Sequence, residues 1–176
     1  DLKMLLSAGE GEELARAVPD NGGVFLLPAL SGLGAPYWRP HATAAIAGLT
    51  FSSGRAHVIR AALEAISHQT MDLAGAFAEA GAPWAELRID GGMSANNWLA
   101  QDLADMLRLT VRRPYDVETT ARGAAMLAAV GAGLHRSLAE AAAAMLPDST
   151  SFQPRTDEAA RTVRLDGWRR LLAASE

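Results

Sequence analysis

Cysteine is absent from all 176 residues. Disulfides and thiolate zinc sites are thereby excluded, and the composition suits a cytoplasmic protein. No apolar run is long and unbroken enough to cross a bilayer as a helix, so no membrane partner is expected. Asp1 and Lys3 are followed by no apolar core of the kind a secretory signal needs. Basic stretches are also missing. Lys and Arg number 16 against 20 Asp and Glu, a formal net charge of −4, which argues against a nucleic-acid partner. His41, His57, His68 and His135 are scattered along the chain, so no intrinsic metal site is expected. No repeat of solenoid length occurs. The chain opens on Asp1 without an initiator methionine, which reads as a piece of a longer protein.

What is present supports one α/β domain. Apolar residues make up 49% of the chain, enough to bury a core, and the heavy use of alanine favours closely packed helices. Residues 1–20 read as a leading helical segment, with acidic Glu10, Glu12 and Glu13 early in a short pattern over 9–17. A turn cluster at Asp20-Asn21-Gly22-Gly23 precedes a buried strand over 24–27, stopped by Pro28. Residues 44–49 read as a second strand. The spacing of Ile59, Leu63, Ile66, Leu73 and Phe77 predicts a helix over 55–80, capped by Ser52 or Ser53 and ended by Gly81. Glu86 to Asp90 alternates as a strand and runs into a helix over 95–107. A short strand follows at 111–113, closed by Pro114. An alanine-rich helix covers 120–130, and a last helix covers 157–173 with Thr156 as its cap. Strands alternating with helices indicate a mixed sheet with helices on both faces.

Three segments carry candidate chemistry. Asp90-Gly91-Gly92-Met93-Ser94-Ala95-Asn96-Asn97 joins a strand to a helix. Two glycines allow a sharp turn and close approach of a ligand, and amide hydrogens at a helix start can face an anion. Asn96 brings a donor and an acceptor to the first turn. The pattern suits a nucleotide phosphate or an adenine edge, and an ordinary strand-to-helix turn is the commoner source of such a motif. It lacks the Gly-Lys-Ser/Thr of a P-loop and the third glycine of a dinucleotide fingerprint.

The second segment, Ser31 to Pro40, holds two glycines and two prolines that specify one loop shape. Tyr37 and Trp38 are costly to expose together, so the loop is expected to bury its aromatics against the domain or a partner. In the third, Arg60 and Glu64 lie four apart on one helix face and can pair. His57 sits near that helix's start, where a capping role outweighs a catalytic one.

The order of these segments resembles the FGGY carbohydrate kinases. "SGLGAPYW" at 31–38 is similar to the loop that marks the glycerol kinases within that family. "GLTFSSGRAHVIRAALE" at 48–64 resembles a second signature, and "RIDGGMSANNWLAQDLADML" at 88–107 resembles the adenosine-binding segment. "ETTARGAAMLAAVGAG" at 118–133 resembles the helix that follows it. Two departures stand in the loop region. Arg39 replaces a usual acidic residue, and Thr43-Ala44 replaces a common Arg-Gly.

The resemblance implies an actin-like ATPase domain with a ribonuclease-H-like core, the C-terminal nucleotide-binding domain of a two-domain kinase. Gly91 and Gly92 would lie against ATP or ADP, and Asn96 would hydrogen-bond near the adenine. Ala121, Gly123 and Ala124 would let their helix pack close to the sheet. Mg²⁺ would be held mainly by the nucleotide and by a domain not in this chain. The catalytic base is expected in that N-terminal domain, so no catalytic residue is assigned here and the chain by itself is expected to be inactive. The implied acceptor is glycerol or a related polyol, with a pentulose kinase or a non-catalytic actin-like binding module as alternatives. A homo-oligomer is among the assemblies the family would allow.

Overall fold

Helix α2 (Arg55–Glu79) is the longest element, and α1 (Glu10–Arg16), α3 (Asn97–Leu107) and strand β1 (Phe25–Leu27) pack against it. The computed structural model describes residues 4, 5, 7 and 9–175. Among them the leading segment is helical only over α1; Asp1 and Lys3 lie outside the described residues. β1 pairs antiparallel with β2 (Ala45–Ala47), placing Leu26 opposite Ile46. A second sheet has the order β3 (Glu86–Arg88), β4 (Thr110–Pro114), β5 (Ser149–Phe152). β3 and β4 are parallel, with α3 as the crossover, and β5 is antiparallel to β4. Helices α4 (Thr119–Gly131), α5 (Leu138–Met145) and α6 (Glu158–Ala173) complete the α/β fold.

The helix ends differ from the sequence expectation in instructive ways. The cap of α2 is Gly54, whose amide donates to His57 Nδ1 at 3.1 Å, so His57 is the capping group. Ser53 is engaged elsewhere, its Oγ accepting from the Thr50 amide at 2.9 Å. The cap of α6 is Asp157, one residue beyond the expected Thr156, and its side chain accepts from the Ala160 amide at 2.8 Å. Helix α5 and strand β5 went unread. The signal for α5 was Ser137-Leu138-Ala139-Glu140, in which Ser137 Oγ takes the Glu140 amide and Glu140 takes the Arg136 amide.

Two apolar clusters form the core. Leu27, Ala29, Leu33, Trp168, Leu171 and Leu172 seat α6 under the β1–β2 pair, and Leu99, Leu103, Ala104 and Val111 seat α3 on the second sheet. Close approach of α6 requires Gly167, where a Cβ would lie 2.0 Å from Phe25 Cζ. Tyr37 packs against the first cluster as expected, but Trp38 stands 75% exposed. Phe77, assigned to the core face of α2, is also exposed. The close-packing role of Ala121, Gly123 and Ala124 is not realised. No residue of α4 is buried, Ala121 and Ala124 face solvent, and a Cβ on Gly123 would meet nothing within 4 Å. Small residues permit close approach without compelling it, and α4 leans on α5 instead.

The apolar core encloses a polar one. Glu64 accepts from Arg60 Nε at 2.9 Å and from Asn21 Nδ2 at 2.8 Å, and lies 3.6 Å from Arg164 Nε. Arg164 forks onto both oxygens of Asp102, and Arg60 also donates to the Val18 carbonyl at 2.6 Å. Burial raises the Glu64 carboxyl against the pull of Arg164 and Arg60, with Asp102 adding to the rise. Nearby, His68 stacks on Trp168 with ring centroids 5.2 Å apart, while Trp168 Nε1 donates to Asp72 at 2.6 Å. Burial, together with the Arg164 charge, pushes the His68 imidazole down to about 3.

Two expectations follow from these buried groups. Glu64→Ala strands two guanidinium groups and is expected to lower unfolding free energy by about 3 kcal/mol or more in urea titrations. For His68 the folded pKa lies below the unfolded one, so stability is full above about pH 6.5 and falls as pH drops toward 3. By pH 5 this group alone costs about 2 kcal/mol. Melting temperatures of wild type and His68→Phe should diverge between pH 7 and pH 5, with wild type falling faster. Parallel profiles would show that His68 is not the titrating group; Asp72, raised by burial, acts in the opposite sense.

Candidate functional site

The turn after β3 is where the backbone departs furthest from regular structure. The Ile89 amide still donates to Arg112 O at 2.9 Å, so sheet pairing holds to the edge of the turn. Asp90 then receives the Thr119 hydroxyl, and the Gly91 amide reaches Val117 O at 3.4 Å. Gly91 has φ of 77°, the left-handed region that glycine adopts freely. A single 3-10 turn, Gly92–Ala95, follows, closed from inside by buried Ser94, whose Oγ donates to Gly91 O at 2.7 Å. Gly91 and Gly92 are exposed, and a Cβ on either would meet nothing within 4 Å. A ligand can therefore come against this backbone without displacing protein atoms.

The structure brings Gly91, Gly92 and Asn96 into one turn, with a revision to the amides around them. Asn96 is the N-cap of α3, its Oδ1 accepting from the Leu99 amide at 2.9 Å. The Asn97 amide donates to Glu12 Oε2 at 2.9 Å. The Ser94 amide donates to Gly91 O at 3.1 Å and the Asn96 amide to Met93 O at 3.2 Å, so four amides that the sequence left to a ligand, those of Ser94, Asn96, Asn97 and Leu99, are taken by protein groups. Asn96 Nδ2 has no partner among the described residues. Burial alone would raise the Glu12 carboxyl, but hydrogen bonds from Arg16 and the Asn97 amide bring it below its ordinary value. On the far side of the turn, Arg113 of β4 donates through Nη1 to Ser94 O at 2.7 Å and through Nη2 to Asn97 Oδ1 at 2.8 Å. Glu12 and Arg113 were not singled out from sequence. Both act across long separations, and no local pattern announces them.

Beside the turn a cleft of about 570 Å³ opens between the second sheet and α4. Ile89, Asp90, Thr119, Gly123 and Met126 contribute to its walls. Glu86 on its rim accepts from Arg88 at 2.8 Å and from Arg112 at 2.7 Å, bonds that lower its pKa. Arg122 also lines the cleft and is paired with Asp116. A second, smaller cleft of about 350 Å³ touches Asn97 and Trp98, and of the arginines lining it Arg60 and Arg164 are matched by Glu64 and Asp102 and Arg16 by Glu12. Among the described residues no group of three His, Asp or Glu side chains could hold a metal ion, and no helix is long and apolar enough to cross a membrane.

The loop at 31–40 is tied to its own domain. Arg39, one of the departures from the family pattern, donates to Leu172 O at 3.2 Å and lies 5.5 Å from the Tyr37 ring centroid. It anchors the loop on α6.

A mixed sheet whose parallel strands end in an open glycine turn, with helices packed around it, defines an α/β domain of the actin-like ATPase kind. Residues 5–132 match the C-terminal domain of the FGGY family of carbohydrate kinases, and the chain belongs to that family. Glycerol kinase of Rhodospirillum centenum is 50% identical over 167 residues, covering 95% of this chain and 33% of that relative. Glycerol kinase of Alcanivorax borkumensis is 47% identical over 173 residues, covering 98% of this chain and 35% of that relative. Among solved structures, Plasmodium falciparum glycerol kinase with ADP superposes with a TM-score of 0.85 at 28% identity, over 98% of this chain and 35% of the other. Xylulose kinase from Rhodospirillum rubrum gives a TM-score of 0.74 at 25% identity, over 94% of this chain and 33% of the other. The chain spans about a third of the length of the curated relatives it matches.

Proposed function

We propose that this chain is the nucleotide-binding part of a cytoplasmic kinase that moves the γ-phosphoryl group of ATP to a primary hydroxyl of a small polyol, glycerol in the first instance. Identity of 45–50% to glycerol kinases along nearly the whole chain carries the reading. The open turn at 90–97 supports it with a place for the nucleotide. A second reading, a pentulose kinase, draws on the likeness to xylulose kinase from Rhodospirillum rubrum.

The residues present fit a nucleotide. Gly91 and Gly92 leave space for a ligand at van der Waals distance from the backbone. Asn96 is locked by its capping bond, so its Nδ2 amide is pre-oriented and can donate to an acceptor at the adenine edge. No carboxylate cluster exists here for Mg²⁺ among the described residues. When ATP is bound, the ion would neutralise phosphate charge, held by the nucleotide and by residues beyond this chain. This chain's own part is binding and orientation. The base that takes the acceptor's proton is assigned to the remainder of the protein, so the 176 residues alone are not expected to phosphorylate glycerol. Self-association into a homo-oligomer belongs to the same proposal and rests on the family alone.

Titrating ADP into the isotopically labelled chain should give weak, saturable shifts centred on the amides of Gly91, Gly92 and Asn96. Asn96→Asp keeps the capping oxygen and removes the NH₂ donor. It should weaken ADP binding about tenfold without lowering the melting temperature. Absence of saturation, or shifts clustered elsewhere, would remove the nucleotide assignment. A coupled ADP-release assay with glycerol should show no turnover, and turnover would contradict the division of labour.

A further inference from the structure

We propose that Arg113 is a positioning residue for nucleotide binding, holding the 94–97 backbone from behind so that Gly91, Gly92 and Asn96 present one fixed surface. The inference rests on the nucleotide reading above and adds to it the group that sets the site's geometry.

Three observations converge on this side chain. Its two terminal nitrogens bond Ser94 O at 2.7 Å and Asn97 Oδ1 at 2.8 Å, so a single planar group grips the chain on either side of Asn96. The guanidinium carbon lies 5.3 Å from the Phe152 ring centroid, and β4 is paired with β3 on one side and β5 on the other. The grip therefore starts from the middle strand of the sheet, the least mobile place available. The other contacts on the turn are different in kind. Ser94 to Gly91 is internal to it, Glu12 holds only the Asn97 amide from a seven-residue helix, and Thr119 and Val117 O hold its Asp90–Gly91 end from α4 and the loop before it. Arg113 is what ties the turn to the sheet beyond Ile89.

The chemistry favours arginine specifically. Two acceptors must be met at once by one rigid fork. A lysine ammonium is a compact point charge on a flexible stem and can satisfy one of them at a time. An exposed glycine turn is free to sample many conformations, and restricting it in advance lowers the entropy lost when a ligand binds. Loss of Arg113 should then appear in affinity for the nucleotide, over and above any change in stability.

The test compares Arg113→Gln, Arg113→Lys and Asn97→Ala with wild type, using ADP as ligand at a temperature where every variant is folded. Arg113→Gln should weaken ADP binding about tenfold and shift the amide signals of Ser94 to Asn97. Arg113→Lys should recover part of the loss, and Asn97→Ala, which removes one of the two bonds, should lose several-fold. Lower melting temperatures with ADP affinity equal to wild type would mean that Arg113 is merely structural, and would overturn the proposal. If Asn96→Asp weakens ADP binding while Arg113→Gln does not, the positioning role falls and the nucleotide assignment stands. If wild type takes no ADP, both fall together. Should Arg113→Gln fail to fold, Arg113→Lys and Asn97→Ala decide between the same outcomes.

Discussion

The fold is organised around a carboxylate that water does not reach. Glu64 is 1% exposed in the middle of α2, and burying a charge there is tolerable only because Asn21, Arg60 and Arg164 surround it. Each partner comes from a different place: the turn before β1, the same helix one turn earlier, and α6. Arg60 extends the network to the Val18 carbonyl at the end of the leading segment, and Arg164 extends it to Asp102 on α3. A polar network of this kind adds little net stability over an apolar core. It does penalise any arrangement in which one partner is missing. It thereby fixes how α1, α3 and α6 stand relative to α2.

That placement reaches the candidate site directly. With α1 and α3 located by the network, Glu12 can meet the Asn97 amide and the start of α3 is set. The turn itself is then secured to the sheet by Arg113, to the start of α4 by Thr119 and to the loop before it by Val117 O. What stays open is the outward side of Gly91 and Gly92. The site has a rigid back and an unobstructed front, as a binding turn requires if ligand affinity is not to be spent on ordering the protein.

Much of this architecture was legible in the residues. Helical spacing located α2, α3, α4 and α6 to within a residue or two, and the glycine turn between a strand and a helix was identifiable as an open, exposed bend. The errors have physical causes. Capping was assigned to Ser52, Ser53 and Thr156 because such residues favour helix starts, yet Gly54 with His57, and Asp157, hold those positions, and Ser52 and Ser53 are turned to Thr50 instead. β5, with two serines and a threonine, carries no apolar pattern of its own; it is a strand because β4 offers it an edge. Trp38 was expected to be buried from the cost of exposing it, but it stands exposed at φ 53° while Tyr37, half-buried, packs against the core.

By itself the sequence determined the class of fold, the family motifs and their order, and that a glycine turn joins a strand to a helix at 90–97. These are local properties: periodicity, glycine freedom and turn chemistry act over a few residues. The tertiary structure alone decided which amides of the turn were already occupied, and that α4 leans away from the sheet and leaves a cleft. It alone placed Glu12 and Arg113, 85 and 16 residues from Asn97, as the groups that grip it. Contacts over such separations exist only once the chain has closed on itself, and no short window of residues contains them.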